Sequence, residues 1–291
     1  MAWRHLVITQ PSKLSYKNNQ LLIQINADTQ QLPLSDIHTI VVSTTRAVVT
    51  TYLLQKIIEN NIKIIFCDQN HDPCAELDGF YQNVNRNQNI QKQFEWSQES
   101  KDILWDAIVR AKLIGEAIHF KSVNGEADDL VNEINKIEFA DTSNREAVVA
   151  KKYFVGLFGK DFTRQQDNDI NAALNYGYSI LLSCFNREVV GQGYLTQLGI
   201  HHSSVKNDFN LSSDLMEPFR PFVDRIVKKY ENVEFSELVK YELIDVLNQE
   251  VVYDGKKMYL ENLISVFVRE SVGFLNGSSE MPKFLESQNA G

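Results

Sequence analysis

Cysteine is scarce in this sequence. Cys67, Cys74 and Cys184 are the three cysteines among 291 residues, and a number so small and odd cannot build a disulfide framework. Such cross-links are not needed, because 43% hydrophobic and 23% charged residues are the proportions of a globular protein that buries its own core. The cysteine content is typical of a reducing compartment, so we expect a cytoplasmic protein.

Long hydrophobic runs are also missing. No stretch approaches the roughly 20 consecutive apolar residues that a membrane span needs, and the start MAWRHLVITQ lacks the apolar core of a signal peptide. A glycine-rich loop that would cradle phosphates is absent as well. We therefore expect a protein that does not enter the membrane, and the missing loop argues against an enzyme for small phosphoesters.

A surplus of basic residues is the third missing feature. The net charge is −9, whereas proteins that bind nucleic acids usually show an excess of lysine and arginine. The charge is unevenly distributed, because residues 142–230 carry 11 basic and 9 acidic residues while the segments 74–141 and 231–291 are acidic. A surface that contacts DNA is therefore expected within residues 142–230.

The first 80 residues have the pattern of a small β domain. Short runs rich in Val, Ile and Tyr predict strands at Arg4–Thr9, Lys13–Lys17, Leu21–Asn26, Ile37–Ser43 and Lys63–Cys67. Asn18 and Asn19 suit a hairpin turn, because asparagine tolerates positive φ. The spacing of apolar residues predicts one helix in this region, Thr50–Asn60.

The pattern changes to long helices from about residue 98. Apolar residues three and four positions apart predict them at Ile103–Phe120, Ala147–Phe158, Ile170–Val190, Leu238–Leu247 and Met258–Leu275. The polar, asparagine-rich segment before them is typical of a linker. The sequence predicts an α+β multidomain protein, with a small β-rich N-terminal domain at 1–80, a linker at 81–97 and a larger all-α C-terminal domain at 98–291.

Glu146 stands at the start of one predicted helix and has two interpretations. In the segment Ser143-Asn144-Arg145-Glu146, the serine and the glutamate have the spacing of a capping box, which would use the glutamate to bind a backbone N–H. A carboxylate fixed at a rigid helix start is also a good metal ligand. Both interpretations require the same oxygens, and the local sequence leaves them open.

Two histidines form a second candidate. They end the segment Gly199-Ile200-His201-His202, which follows a long predicted helix. Neighbouring histidines in a loop face different ways, so at most one of them is expected to join a given site. A histidine in a loop is also compatible with a plain surface position.

The third candidate segment is 213–225, which contains Glu217 and Arg220. Helical spacing places these two side chains on the same side. Pro218 and Pro221 each lack a backbone donor and crowd the preceding turn, so the helix is expected to begin late or to kink. An acidic helix start followed by arginine is also compatible with simple compensation of the helix dipole.

Taken together, these segments form a series of motifs: DTSNREAVVAKKYF, DNDINAALNYGYSILL, GIHH and LSSDLMEPFRPFVDR. In order and spacing, the series resembles the CRISPR-associated integrase family, the universal nuclease-like subunit of spacer acquisition. The opening WRHLVITQPSKLSYKNNQL and the chain length resemble in particular the type II-A branch. The similarity extends along nearly the whole chain.

The resemblance implies a site of three metal ligands, Glu146, His202 and Glu217, which are also the catalytic residues, with Asp214 in a supporting role. Two carboxylates and one imidazole suit Mg²⁺ or Mn²⁺, and the nitrogen ligand favours Mn²⁺. The implied enzyme is a metal-dependent DNA endonuclease and integrase. It joins 3′-hydroxyl ends of short duplex DNA to a CRISPR repeat by transesterification. Candidate phosphate contacts are Lys151, Lys152, Arg164, Arg187, Arg220 and Arg225.

The resemblance also implies partners. Family members act as homodimers bridged by a small ferredoxin-like CRISPR-associated subunit in a heterohexamer, on double-stranded DNA. The type II-A branch additionally involves a ring-forming accessory protein and a guide-RNA-directed nuclease. An alternative interpretation remains, in which the chain is a non-catalytic dimeric DNA-binding scaffold whose acidic residues only cap helices.

Overall fold

The computed structural model describes residues 4–69, 73–77, 79 and 83–284. The chain divides into two compact units, Met1–Tyr81 and Gln82–Gly291. Among the described residues, no helix combines the length and the apolarity that crossing a lipid bilayer requires.

The first unit consists of short strands and one helix. Its strands are β1 (Arg4–Ile8), β2 (Lys13–Lys17), β3 (Gln20–Ile25), β4 (Asp28–Pro33), β5 (Ile37–Val42), β6 (Val48–Val49), β7 (Lys63–Cys67) and β8 (Pro73–Glu76), and its helix is α1 (Thr51–Glu59). One sheet has the order β1-β5-β7-β8, and the other has the order β4-β3-β2-β6. A buried cluster that includes Leu14, Leu21, Ile40, Leu53 and Ile64 forms the core.

The turn between β2 and β3 confirms the expectation from the sequence. Asn18 and Asn19 have φ values of 52° and 59°, the left-handed conformation that a two-residue hairpin loop requires. The sequence did not predict β4, because its residues DTQQLP are almost all polar and mostly exposed. That strand forms by pairing with β3 and contributes little to the core.

The second unit is predominantly helical. Its helices are α2 (Arg86–Phe94), α3 (Gln98–Asn124), α4 (Asp128–Ile134), α5 (Arg145–Phe158), α6 (Asp169–Gly191), α7 (Asn210–Met216), α8 (Arg220–Lys229), α9 (Glu237–Asp245) and α10 (Leu260–Leu275). A hairpin of two strands, β9 (Glu250–Tyr253) and β10 (Lys256–Tyr259), precedes α10. A β-rich region followed by a helical domain confirms the predicted fold class.

Two parts of this unit differ from the sequence predictions. The hairpin β9–β10 lies inside the segment that was expected to be all-α, and Met258, expected to begin the last helix, belongs to β10. The segment 81–97, predicted as a linker, contains α2. The reason is that α2 is strongly polar and is held by specific hydrogen bonds: the side chain of Gln93 donates to the carbonyls of Leu195 (2.9 Å) and Leu198 (3.1 Å).

Helix α3 is the central element of the helical unit. Ser97 caps its start by accepting the N–H of Ser100, and Gly125 ends it with a φ of 82°. The helix packs against α4, α5, α7, α8 and α10. Side chains on one face of α3 therefore lie close to the starts of α5 and α8, where the candidate residues are located.

Candidate active site

The start of α5 does not need the Glu146 side chain as a cap. The carboxylate of Asp141 accepts the backbone N–H groups of Arg145 (2.7 Å) and Glu146 (3.1 Å), which satisfies the open end of the helix. The N-cap residue is Asn144, and the Ser143 hydroxyl has no hydrogen-bond partner among the described residues. The capping-box interpretation is therefore wrong, because Asp141 takes the role that the sequence offered to Ser143.

A buried aspartate shapes the histidine loop. Asp214, fully buried in α7, accepts the backbone N–H groups of Ile200 (2.8 Å), His201 (3.0 Å) and His202 (3.2 Å). It also accepts a hydrogen bond from Nδ1 of His202. Since its oxygens are engaged in four hydrogen bonds, Asp214 orients His202 and leaves Nε2 as the atom that can bind a ligand.

The two histidine rings both contact Trp105 and lie nearly perpendicular to each other, with centroids 5.3 Å apart. The ring of His201 stacks on buried Trp105 of α3, with centroids 4.1 Å apart and planes 5° apart. The ring of His202 meets the same tryptophan edge-on at 5.6 Å. The stacking of His201 on Trp105 therefore anchors the loop, and the His202 side chain is 46% exposed.

Glu217 lies where the helical backbone is interrupted. Helix α7 ends at Met216, a 3₁₀ turn spans Glu217–Phe219, and α8 begins at Arg220. The late start that was predicted from Pro218 and Pro221 is thus confirmed. The Glu217 carboxylate is buried, with 4% of the residue exposed, and its Oε2 lies 2.9 Å from Nε of Arg220.

A lysine connects the two glutamates. Nζ of Lys112, on α3, contacts Oε1 of Glu146 and lies 2.6 Å from Oε2 of Glu217. Glu146 and Glu217 belong to different elements, yet they converge on a single cationic atom. Lys112 was not predicted from the sequence, although a lysine and a glutamate, Glu116, that interrupt the buried face of a helix are a signal of a polar site.

Burial and neighbouring charges set the protonation of this cluster. Burial alone would raise the pKa of Glu217, but the cations of Arg220 and Lys112 overcome it and lower this pKa to about 2. Burial acts against the charge of Lys112 as well, yet Glu217 and Glu146 raise its pKa. Burial raises the pKa of Glu116 to about 8. At neutral pH, Glu217 is therefore ionised and Glu116 is protonated.

Asp224 and two tyrosines form a buried network of hydrogen bonds next to Arg220. Asp224 of α8 accepts hydrogen bonds from the hydroxyls of Tyr153 (3.0 Å) and Tyr178. Burial raises the pKa of Asp224 to about 6, although both tyrosine hydrogen bonds act in the opposite direction. The guanidinium of Arg220 lies over the ring of Tyr178 at 4.5 Å from its centroid. Arg220 is thus held between the Tyr178 ring and Glu217.

The three predicted metal ligands share one region. The hydrogen bond to Asp214 raises the pKa of His202, and the carboxylates of Glu217 and Glu146 raise it further, so all three side chains interact electrostatically. Within the described part of the chain, no three His, Cys, Asp or Glu side chains are arranged as ligands of one ion. The cation between the glutamates is the Lys112 ammonium.

The donor atoms present nevertheless suit a divalent cation. Oε2 of Glu217 is buried and lies 2.6 Å from Nζ of Lys112 and 2.9 Å from Nε of Arg220. This carboxylate oxygen therefore already binds cationic groups. Two carboxylates that already share a cation, beside an imidazole oriented by a carboxylate, fit Mg²⁺ or Mn²⁺.

The predicted phosphate contacts occupy varied environments. Lys151 is exposed on α5. Lys152 lies 3.0 Å from Glu133. Arg187 is 11% exposed and forms ion pairs with Glu188 (2.9 Å) and Glu261 (3.2 Å). Lys151 and Lys152 are thus both exposed, whereas Arg187 is largely buried.

The other three candidates are arginines that pack on aromatic rings. Arg164 donates to the side chains of Asn171 and Asn175, and it also lies over the ring of Tyr178 at 5.6 Å. Arg220 lies over the same ring at 4.5 Å and beside Glu217. Arg225 lies over the ring of Phe222 at 5.3 Å, on a cavity wall that contains none of the predicted metal ligands.

The sequence matches the family model described as "CRISPR associated protein Cas1" over residues 6–235. It is also 34% identical over 258 residues to the CRISPR-associated endonuclease Cas1 of Neisseria meningitidis serogroup C (strain 8013), covering 86% of this chain and 85% of that protein. The chain belongs to the Cas1 family. A second Cas1 relative, from Francisella tularensis subsp. novicida (strain U112), is 24% identical and covers 97% of this chain and 99% of its own length.

Solved structures show the same fold as this Cas1 family member. A casposase bound to integration product has a TM-score of 0.78 at 19% identity, covering 99% of this chain and 94% of that one. A CAS1 protein from Thermotoga maritima has a TM-score of 0.76 at 17% identity, covering 97% and 99%. The β-rich unit followed by a helical unit is therefore the architecture of this family.

Proposed function

We propose that the protein is a metal-dependent DNA integrase and endonuclease of spacer acquisition, with Glu146, His202 and Glu217 as its catalytic metal ligands. The observation that carries the proposal is the convergence of Glu146 and Glu217 on a single cation beside an imidazole. The family membership supports it, because relatives are named CRISPR-associated endonucleases and a casposase of the same fold was solved with an integration product.

The proposed reaction is a phosphodiester exchange. The 3′-hydroxyl oxygen of a short duplex forms a new P–O bond at the edge of a CRISPR repeat, and the 3′-oxygen of the repeat strand leaves with a proton. A bound Mg²⁺ or Mn²⁺ would supply charge stabilisation and activation of the hydroxyl. Glu146 and Glu217 would hold that ion, and Asp214 would keep Nε2 of His202 directed at it.

The cationic side chains near the glutamates are proposed to bind phosphate groups of the DNA. Lys112 and Arg220 both contact Glu217, and an ion that takes over this carboxylate releases their donors. Phosphate oxygens are the anions that such donors prefer. Lys151, exposed on α5, would extend the contact along the DNA backbone.

The proposal also includes the branch of the family and the partners of the chain. The N-terminal motif supports the type II-A branch, and the Cas1 family supports a homodimer that a small ferredoxin-like CRISPR-associated subunit bridges into a heterohexamer in the cytoplasm. A solved relative of this fold is described as a Cas6-RT-Cas1–Cas2 complex. A ring-forming accessory protein and a guide-RNA-directed nuclease complete the proposed set of partners.

A strand-joining assay tests the proposal. A labelled short duplex is incubated with repeat-containing DNA, the purified chain and its small partner subunit, in Mn²⁺, Mg²⁺ or EDTA. We expect joined product with either metal and none in EDTA. Joining that persists in EDTA would contradict the metal site, and DNA binding without joining in every condition would favour the scaffold alternative.

Gly199 provides a second test, because its lack of a side chain keeps His202 in place. A Cβ at this position would lie 2.3 Å from the His202 carbonyl oxygen and 2.7 Å from Oδ2 of Asp214. Gly199→Ala is expected to displace the imidazole and reduce joining about 10- to 100-fold, with DNA binding retained. Gly191→Ala is the control, since nothing lies within 4 Å of its added Cβ; equal joining by both variants would contradict the positioning role.

A further inference from the structure

A cavity of about 310 Å³ lies in the helical unit, and none of the predicted metal ligands lines it. One wall is a stripe of α3, formed by Ala107, Arg110, Ala111, Ile114, Gly115 and Ile118. The opposite wall includes Phe222, Arg225 and Phe267. We name this cavity the α3 groove.

The α3 groove is long enough to hold a chain segment. Its stripe runs from Ala107 to Ile118, three turns of helix and about 16 Å. An extended peptide covers that distance with about five residues. Ile114, in the middle of the stripe, is 49% exposed, so the groove presents apolar surface that the described chain leaves uncovered.

The charge of the α3 groove is positive. Among the residues that the structure describes, three cations and no acidic residue line it. Two of the cations are neutralised from outside the groove, because Arg110 pairs with Asp106 at 2.8 Å and Lys283 pairs with Asp254. Arg225 is half-buried, stacks on Phe222 at 5.3 Å and has no ion pair or hydrogen bond in residues 4–69, 73–77, 79 and 83–284.

We propose that the α3 groove binds a short peptide segment of a partner protein in which an aromatic or branched aliphatic side chain stands next to a carboxylate. The apolar side chain packs on the exposed part of the α3 stripe at Ile114, and the carboxylate pairs with the guanidinium of Arg225. Arginine suits this role because its planar fork binds a carboxylate with two hydrogen bonds. A nucleic acid strand fits less well, because its affinity depends on many phosphate contacts and one unpaired cation is available.

The groove also adjoins the candidate active site. Pro218 and Phe219, which follow Glu217 in the 3₁₀ turn, line it. A bound peptide therefore packs against the same turn that positions Glu217. This contact is separate from the metal ligands, so peptide binding is measurable without DNA or metal.

Fluorescence anisotropy of the full chain tests the proposal. The probe is a fluorescein-labelled octapeptide that alternates glutamate with leucine and phenylalanine, and the comparison peptide has lysine in place of each glutamate. We expect the acidic peptide to bind at least about tenfold more tightly, since the opposite charge at Arg225 repels the lysine peptide. Arg225→Gln is expected to reduce the affinity for the acidic peptide about tenfold.

A matched pair of variants at Ile114 separates charge from apolar contact. Ile114→Glu and Ile114→Lys remove the same apolar surface from a half-exposed position, so both are expected to keep the wild-type melting temperature. Only the glutamate adds repulsion, so Ile114→Glu is expected to weaken binding about tenfold and Ile114→Lys about threefold. Leu238→Glu is the control, because Leu238 is also exposed (56%) and does not line the groove.

Several results would overturn the proposal. Equal affinity for the two peptides would remove the role of charge, and unchanged binding by folded Ile114→Glu would place the peptide elsewhere. Self-association of the wild type that Ile114→Glu abolishes would identify a second copy of the chain as the occupant. Duplex DNA is also added as a competitor of the bound peptide. If it displaced the peptide from the wild type but not from Ile114→Glu, the occupant of the groove would be a nucleic acid.

Discussion

Replacing Glu217 with glutamine is expected to abolish strand joining, with a loss of at least about 100-fold, because loss of residues that merely support metal ligands already costs 10- to 100-fold. The substitution preserves size and removes the charge that the buried oxygen presents to a cation. Lys112 and Arg220, which hold the pKa of Glu217 at about 2, would then face a neutral amide. A gel assay of labelled duplex and repeat DNA in Mn²⁺ measures the effect.

The control variant removes one negative charge from an exposed glutamate. Glu234 lies at the surface, and Glu234→Gln is expected to join DNA at the wild-type rate. Both variants should bind duplex DNA with similar affinity, because neither removes a phosphate contact. Joining by Glu217→Gln that equals joining by Glu234→Gln, with both proteins folded, would refute the catalytic role of Glu217.

Replacing Lys112 with methionine is expected to lower the free energy of unfolding in EDTA by about 3 kcal/mol, the typical cost of removing one partner from a buried ion pair. The Lys112 side chain is 9% exposed and contacts both glutamates. Without its ammonium, Glu146 and Glu217 face each other as like charges in a largely buried site, and Arg220 remains as a cation beside Glu217. Urea unfolding at neutral pH measures the loss.

Manganese should restore much of that stability, because the ion would take the position between the carboxylates without competing with the lysine. We therefore expect Mn²⁺ to raise the melting temperature of Lys112→Met more than that of the wild type. Lys121→Met is the matched control, because Lys121 is exposed on the same helix. If Mn²⁺ shifted all three proteins equally, Lys112 would not mark the metal position.

Local sequence patterns predicted most of the fold. The hairpin at Asn18 and Asn19 and the interruption at Pro218 and Pro221 depend on backbone preferences of single residues, and both are confirmed. Several elements escaped prediction, among them α2, β4 and the hairpin β9–β10, and these have polar or short segments. Their stability depends on partners distant in sequence, such as the carbonyls that bind Gln93, and no local pattern contains that information.

The candidate site was predicted less completely. The order of the motifs predicted Glu146, His202, Asp214 and Glu217 as site residues. The role of Glu146, His202 and Glu217 as metal ligands stays a prediction. The capping box at Ser143 was wrong, because Asp141, which lies outside that local pattern, accepts the N–H groups of this helix start. Asp141 belongs to the 3₁₀ turn that precedes α5, and its carboxylate accepts the N–H of Arg145 at the helix start.

The sequence by itself determined that a β-rich region precedes a helical one and where single turns and interruptions fall, since period, turn residues and proline positions act over a few residues. The tertiary structure alone decided that Lys112 lies between Glu146 and Glu217 and that Arg225 faces an apolar groove. The physical reason is that charge contacts form between side chains on different helices. Their positions depend on how α3, α5 and α8 pack, which no single segment encodes.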